Sequence, residues 1–140
     1  MKLHIVARGK IARTPEAEMI ARYAARITWP FAITELPEIG GKVAPAPTPA
    51  RIIALDESGL TMGSAAFAKL IEGWRDIGVR EARFLIGAAD GLSADERASA
   101  DLVWSFGAAT WPHLLVRAML CEQLYRATSI IAGHPYHREG

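Results

Sequence analysis

A single cysteine, Cys121, supplies all the thiol chemistry of this 140-residue chain, so no internal disulfide can form. The fold must therefore stand without covalent staples. No apolar run reaches the roughly 18 residues needed to span a bilayer. The opening MKLHIVARGK carries no signal-peptide core, so the expected compartment is the cytoplasm. Two glycine signatures are missing as well. The loop Gly87-Ala88-Ala89-Asp90-Gly91 has no lysine after its second glycine and no G-x-G-x-x-G pattern. It is neither a P-loop nor a dinucleotide fingerprint. His134 and His137 stand three apart without a third ligand, so no metal site is expected.

What is present suits one domain over residues 1–140, since a chain of that length buries roughly 68–70% of its unfolded surface. Charge is unevenly spread. Before residue 34, Lys2, Arg8, Lys10, Arg13, Arg22 and Arg26 face only Glu16 and Glu18. This basic segment is either a solvated surface or a contact for phosphate.

Taken in order, Leu3 to Ala7 reads as a strand. Thr14-Pro15-Glu16 opens a helix with a cap, a proline in the first turn and an acid, and the apolar spacing carries it to about Thr28. Phe31 to Leu36 is a second strand. Pro45, Pro47 and Pro49 make 38–50 an extended connector. Arg51 to Leu55 is a buried strand, and Asp56-Glu57-Ser58-Gly59 is expected to turn the chain. Ser64 is the expected cap of a helix ending at Gly78, followed by a strand over Ala82 to Ile86. Ser93 to Glu96 is a capping box, and Leu102 to Phe106 a last strand. Alternation of strands and helices predicts an α/β fold with a mainly parallel sheet and flanking helices. Ligands in such sheets sit beyond the carboxyl ends of the strands, where the loops 87–91 and 107–112 emerge.

The longest helical pattern runs from about Pro112 to Ile131 and carries two apolar stripes. Val116, Leu120, Leu124, Ala127 and Ile131 suit the sheet; Leu114, Ala118, Cys121 and Tyr125 need another cover. A second subunit or another helix of the same chain would provide it. Glu122 and Arg126 are spaced for an ion pair, with Arg126 facing a site as the alternative. His113 at the helix start either satisfies a local backbone group or is catalytic. The tail His134-Pro135-Tyr136-His137-Arg138 closes the inventory.

The segments MKLHIVARGK, RIIALDESG, FLIGAADGLS and, above all, WPHLLVRAMLCEQLYRATSIIAGHPYHRE resemble the ribosomal RNA large subunit methyltransferase H family, a branch of the SPOUT methyltransferases. The resemblance runs from end to end. It implies a C-terminal trefoil knot, a homodimer through the C-terminal helix, and methyl transfer from S-adenosylmethionine to N3 of a pseudouridine in 23S ribosomal RNA on the assembled ribosome. It further implies a cofactor pocket of Leu55, Gly87, Ala88, Gly107, Ala108, Ala109, Thr110, Trp111 and Pro112. His134, Tyr136, His137 and Arg138, with Arg126, would form the methyl-transfer site, reaching the partner subunit's pocket. The chain departs from the family at Ala88, where a second glycine is usual, and at Ala89-Asp90. It departs again at 38–50, where a helix is usual. These departures keep open an alternative, a knotted RNA- or ribosome-binding module whose transferase activity is weakened or lost.

Overall fold

The computed structural model describes residues 1–138. Five strands, β1 (Lys2–Arg8), β2 (Phe31–Leu36), β3 (Ala50–Thr61), β4 (Glu81–Ile86) and β5 (Leu102–Ser105), form one sheet in the order β2-β1-β4-β3-β5. Every pairing is parallel. The helices are α1 (Pro15–Ala24), α2 (Ser64–Asp76), α3 (Ala94–Ala98) and α4 (His113–Ile131). Among the described residues no helix is long and apolar enough to cross a membrane.

Period-2 alternation divides the sheet. Leu3, Ile5, Ile53, Leu55, Ala82, Phe84 and Trp104 pack under Phe67 and Ile71 of α2 and Leu120, Leu124 and Ala127 of α4. Phe67 stacks on Trp104 with ring centroids 4.3 Å apart and meets Phe84 edge-on at 6.0 Å. The first stripe of α4 thus covers the sheet as expected. The second is covered by α1 of the same chain: Ile20 packs against Ala118 and Cys121, and Tyr23 stacks on Tyr125. Burial pushes the Cys121 thiol up to about 12, so it stays protonated in its apolar setting.

The opposite face is polar and strapped by the connector. His4 on β1 lies between Thr34 Oγ1 at 2.7 Å and Glu81 Oε2 at 3.2 Å. Arg83 Nε donates to the same Glu81 oxygen at 2.6 Å, and its Nη1 to the carbonyl of Ala44 at 2.8 Å. Arg8 Nη1 donates to the carbonyls of Pro37 and Gly40 at 2.9 and 2.7 Å. The proline-rich segment is irregular, as its composition dictates, and is tied down through its own peptide oxygens.

Local boundaries differ from expectation in three places. Helix α1 ends at Ala24 rather than near Thr28. Gly63, not Ser64, caps α2; the Ser64 hydroxyl donates instead to Gln123 Oε1 on α4 at 2.6 Å. Residues Asp56 to Gly59 do not end the third strand. Leu55 and Leu60 both register with Trp104, so 56–59 form a bulge and β3 rejoins β5 beyond it. Gly59 makes the close return possible, since a Cβ there would lie 2.5 Å from the Val103 carbonyl oxygen.

Burial holds the pKa of His4 below its usual 6.5, outweighing Glu81, which acts to raise it. The unfolded chain therefore takes up a proton that the folded chain refuses, and stability falls as pH drops below about 6.5. Glu35, Glu81 and Glu96 are held below the usual 4.5, so their contribution is lost only at lower pH. Thermal unfolding followed by circular dichroism should show Tm declining from pH 7.5 to 5.5. His4→Gln should flatten that segment and leave the steeper loss below about pH 4.5 in place.

Candidate functional site

Because all strands run the same way, β3, β4 and β5 release their loops at one edge, and a cavity of about 630 Å³ opens there. Leu55 and Ile86 form its floor, Gly87 to Gly91 one wall, and Phe106 to Pro112 another, with His113 and Val116 of α4 closing it. Of the nine residues expected to hold a cofactor, Leu55, Gly87, Ala88, Gly107, Ala109, Thr110, Trp111 and Pro112 line it. Ala108 does not line it and is exposed.

Each wall is held by local bonds. Ala88 and Gly91 close a tight turn, with the Gly91 N–H donating to Ala88 O at 2.8 Å. A Cβ on Gly87 would lie 2.3 Å from the Gly91 carbonyl carbon, so only glycine lets the turn fold back on its stem. Ala88 itself does not adopt a positive φ, and alanine there carries no backbone penalty. The second wall is tied to the β3 bulge by Thr110 Oγ1 donating to Glu57 Oε2 at 2.9 Å. Asp56, Glu57 and Asp90 reach the cavity, and no lysine or arginine lines it. Its field therefore favours a cation.

Sequence reading assigned no role to Trp104, Phe106 or Ile86, nor to these acids. Phe106 meets Trp104 edge-on at 4.9 Å, and together they separate this cavity from a second groove of about 650 Å³. That groove runs along α4, with Met19, Tyr23, Met62 and Met119 among its walls. The aromatic pair at the end of β5 was the available signal.

The tail residues gather elsewhere. Glu122 accepts from Arg126 at 2.7 Å and from the Tyr136 hydroxyl at 3.1 Å. Arg126 stands 4.7 Å over the Tyr136 ring and hydrogen-bonds His137 Nδ1 at 3.1 Å. The Tyr136 N–H donates to His134 Nδ1 at 3.2 Å. Arg138 is exposed and has no hydrogen-bond or ion-pair partner among the described residues. Burial and then Glu122 push Tyr136 up to about 12; it remains a donor at neutral pH. Burial opposes the charge on Arg126, but Glu122 overcomes it and raises its pKa. Arg126 lies thirteen positions after His113 on α4, about 20 Å along the axis. Within one chain, His113 at the cavity and Arg126 in the tail cluster therefore stand well apart along α4. Among the described residues no group of three or more His, Cys, Asp or Glu is placed to hold a metal.

Residues 1–137 match the family profile described as predicted SPOUT methyltransferase. The class is thus a SPOUT methyltransferase, and solved structures agree at the level of fold. A probable methylase family protein from Haemophilus influenzae superposes with a TM-score of 0.62 at 9% identity, covering 98% of this chain and 70% of that one. The SpoU methyltransferase AviRb from Streptomyces viridochromogenes, in complex with AdoMet, gives 0.55 at 15% identity, covering 94% and 58%. Among sequences, proteins named ribosomal RNA large subunit methyltransferase H are 64% identical in Sphingopyxis alaskensis and 61% in Erythrobacter litoralis. Each alignment spans 140 residues, covering all of this chain and 99% and 100% of the relative. The chain belongs to the ribosomal RNA large subunit methyltransferase H family.

Gly87→Ala should destabilise the fold by roughly 1–3 kcal/mol, because the new methyl group meets backbone that cannot yield. Ala88→Gly should change stability by less than about 1 kcal/mol. Chemical denaturation of both variants checks the contrast.

Proposed function

We propose that the chain transfers a methyl group from S-adenosylmethionine to N3 of a pseudouridine in 23S ribosomal RNA on the assembled ribosome, as a cytoplasmic homodimer. The observation that carries this reading is the edge cavity, walled by backbone and acids with no lysine or arginine. Backbone groups of 87–91 and 107–112 suit the adenine and the methionine part, and Asp56, Glu57 and Asp90 suit a positive centre. S-adenosylmethionine, when bound, supplies the methyl group on a sulfonium that leaves readily. The names the relatives carry support large-subunit ribosomal RNA as the acceptor, and N3 of a pseudouridine is what the family resemblance implies. A trefoil knot where loops 87–91 and 107–112 cross α4 belongs to the same reading.

The remaining task is to place N3 in line with the methyl carbon and to stabilise the anion left when its proton departs. His137 takes the Arg126 bond on Nδ1, and His134 takes the Tyr136 N–H on Nδ1. Each neutral ring then presents Nε2–H as a donor. The tail is therefore built to donate to a developing imide anion, with Arg126 adding charge behind His137. The N3 proton leaves to solvent water as the nitrogen–carbon bond forms and the carbon–sulfur bond breaks.

In one chain Arg126, against which the tail packs, stands about 20 Å along α4 from His113 at the cavity, and this separation supports a site shared between two subunits. The groove along α4 is the surface for the second copy. Glu122 lines that groove and also holds Arg126 and Tyr136, while Trp104, Phe106 and Gly107 line both groove and cavity. The binding-module alternative drew on Ala88, which sits without strain, and on the missing helix at 38–50, where the chain carries only the irregular connector.

Calorimetric titration with S-adenosylmethionine should give saturable heat, and ribosomes should accept methyl groups where free RNA does not. His137→Ala should lower kcat about a hundredfold. Mixing Ala109→Trp, which fills the cavity, with His137→Ala should restore about a quarter of wild-type activity, since half the dimers then hold one intact composite site. Failure of the two variants to complement would remove the shared site.

A further inference from the structure

We propose that the loop from Gly9 to Arg13 is a preshaped contact for the phosphate backbone of the acceptor RNA, with Lys10 and Arg13 as its charges. The inference rests on the reading of the chain as an RNA methyltransferase. Strand β1 pairs in parallel with β4, Ala7 beside Ile86, so the loop leaves the sheet next to the Gly87–Gly91 wall. A Cβ on Gly9 would lie 3.7 Å from Nε2 of His113, which lines the cavity. The loop therefore stands at the rim where an acceptor base has to enter.

Its shape is fixed from below. Arg117, one turn into α4 and 1% exposed, donates through Nη2 to the Gly9 carbonyl at 3.1 Å and pairs through Nη1 with Glu35. Glu35 accepts the Ile11 N–H at 2.9 Å. One ion pair, its arginine buried and its carboxylate at the surface, thus grips the loop at two backbone points. Ala12 holds φ at 49°, a conformation that alanine keeps only where its surroundings impose it. Burial acts to raise the Glu35 pKa, but Arg117, Ile11 and the charge of Lys10 outweigh it, so the clamp stays ionised at neutral pH.

The other N-terminal cations are placed or employed differently. Arg8 is consumed by Glu96 at 3.1 Å and by two connector carbonyls. Lys2 opens β1 at the opposite edge of the sheet, and Arg22 lies in the last turn of α1, away from the loop. Arg26 stands over the Tyr125 ring at 6.0 Å. Lys10 and Arg13 are exposed and, among the described residues, have neither hydrogen-bond nor ion-pair partners. Two long cationic side chains on a fixed backbone match successive phosphates of a strand whose base is delivered to the cavity.

The test uses the full chain and intact ribosomes. Lys10→Ala/Arg13→Ala should raise the KM for ribosomes about tenfold and make the fall of log(kcat/KM) with log salt shallower by roughly 1.4, two single-strand contacts at about 0.7 each. Calorimetric affinity for S-adenosylmethionine should stay as in the wild type. Lys69→Ala, an exposed cation on α2, should match the wild type in all three measurements. A double variant with unchanged KM and salt slope, beside an active wild type, overturns the loop assignment alone. An equal shift in Lys69→Ala also overturns it, because net charge would then be the cause. A wild type that methylates no ribosomes overturns the functional reading and this proposal with it.

Discussion

Every strand pairing in this sheet is parallel, and that constraint decides where everything else lies. A parallel pair cannot be closed by a tight hairpin, so each return must cross the sheet through a helix or an extended segment. All five strands then end at one edge. Helices α2 and α4 bury one face, the connector straps the other, and neither obstructs that edge. The cavity follows from the arrangement, while its acidic and backbone-lined character follows from which residues each strand happens to hand to its loop.

What could be read from sequence was what neighbouring residues decide. The strand Phe31–Leu36, the Thr14 and Ser93 caps and the irregular proline stretch are local matters of propensity and turn chemistry, and the coordinates agree with them. The two cavity walls were also legible, since glycine-bearing loops after buried strands have few other uses. What distant pairings decide was not legible. Nothing near Asp56 announces that β3 resumes beyond its bulge, because the reason is the backbone of β5. The second stripe of α4 was seen, but only assembly shows that α1 fills it. His4, Glu81, Arg83 and Arg117 look like surface residues in one dimension and become buried through partners 30 or more positions away.

Helix α4 acts as a rigid spacer between two chemically different ends. Its first turn closes a loop-walled cavity with acids, and its second half presents a stacked cluster of arginine, tyrosine and histidine around Glu122. A helix of 19 residues does not bend enough to join them. That separation on one chain is what gives the proposed pairing of two chains its chemical purpose.

The strap across the polar face is gripped through the carbonyls of Pro37, Gly40 and Ala44, not through its side chains. A peptide oxygen is the same whatever residue bears it. Substitutions in this segment therefore leave its moorings intact, and the strap depends instead on the two arginines that hold it, Arg8 and Arg83. A change of side chain there is decoupled from the chemistry at the far edge.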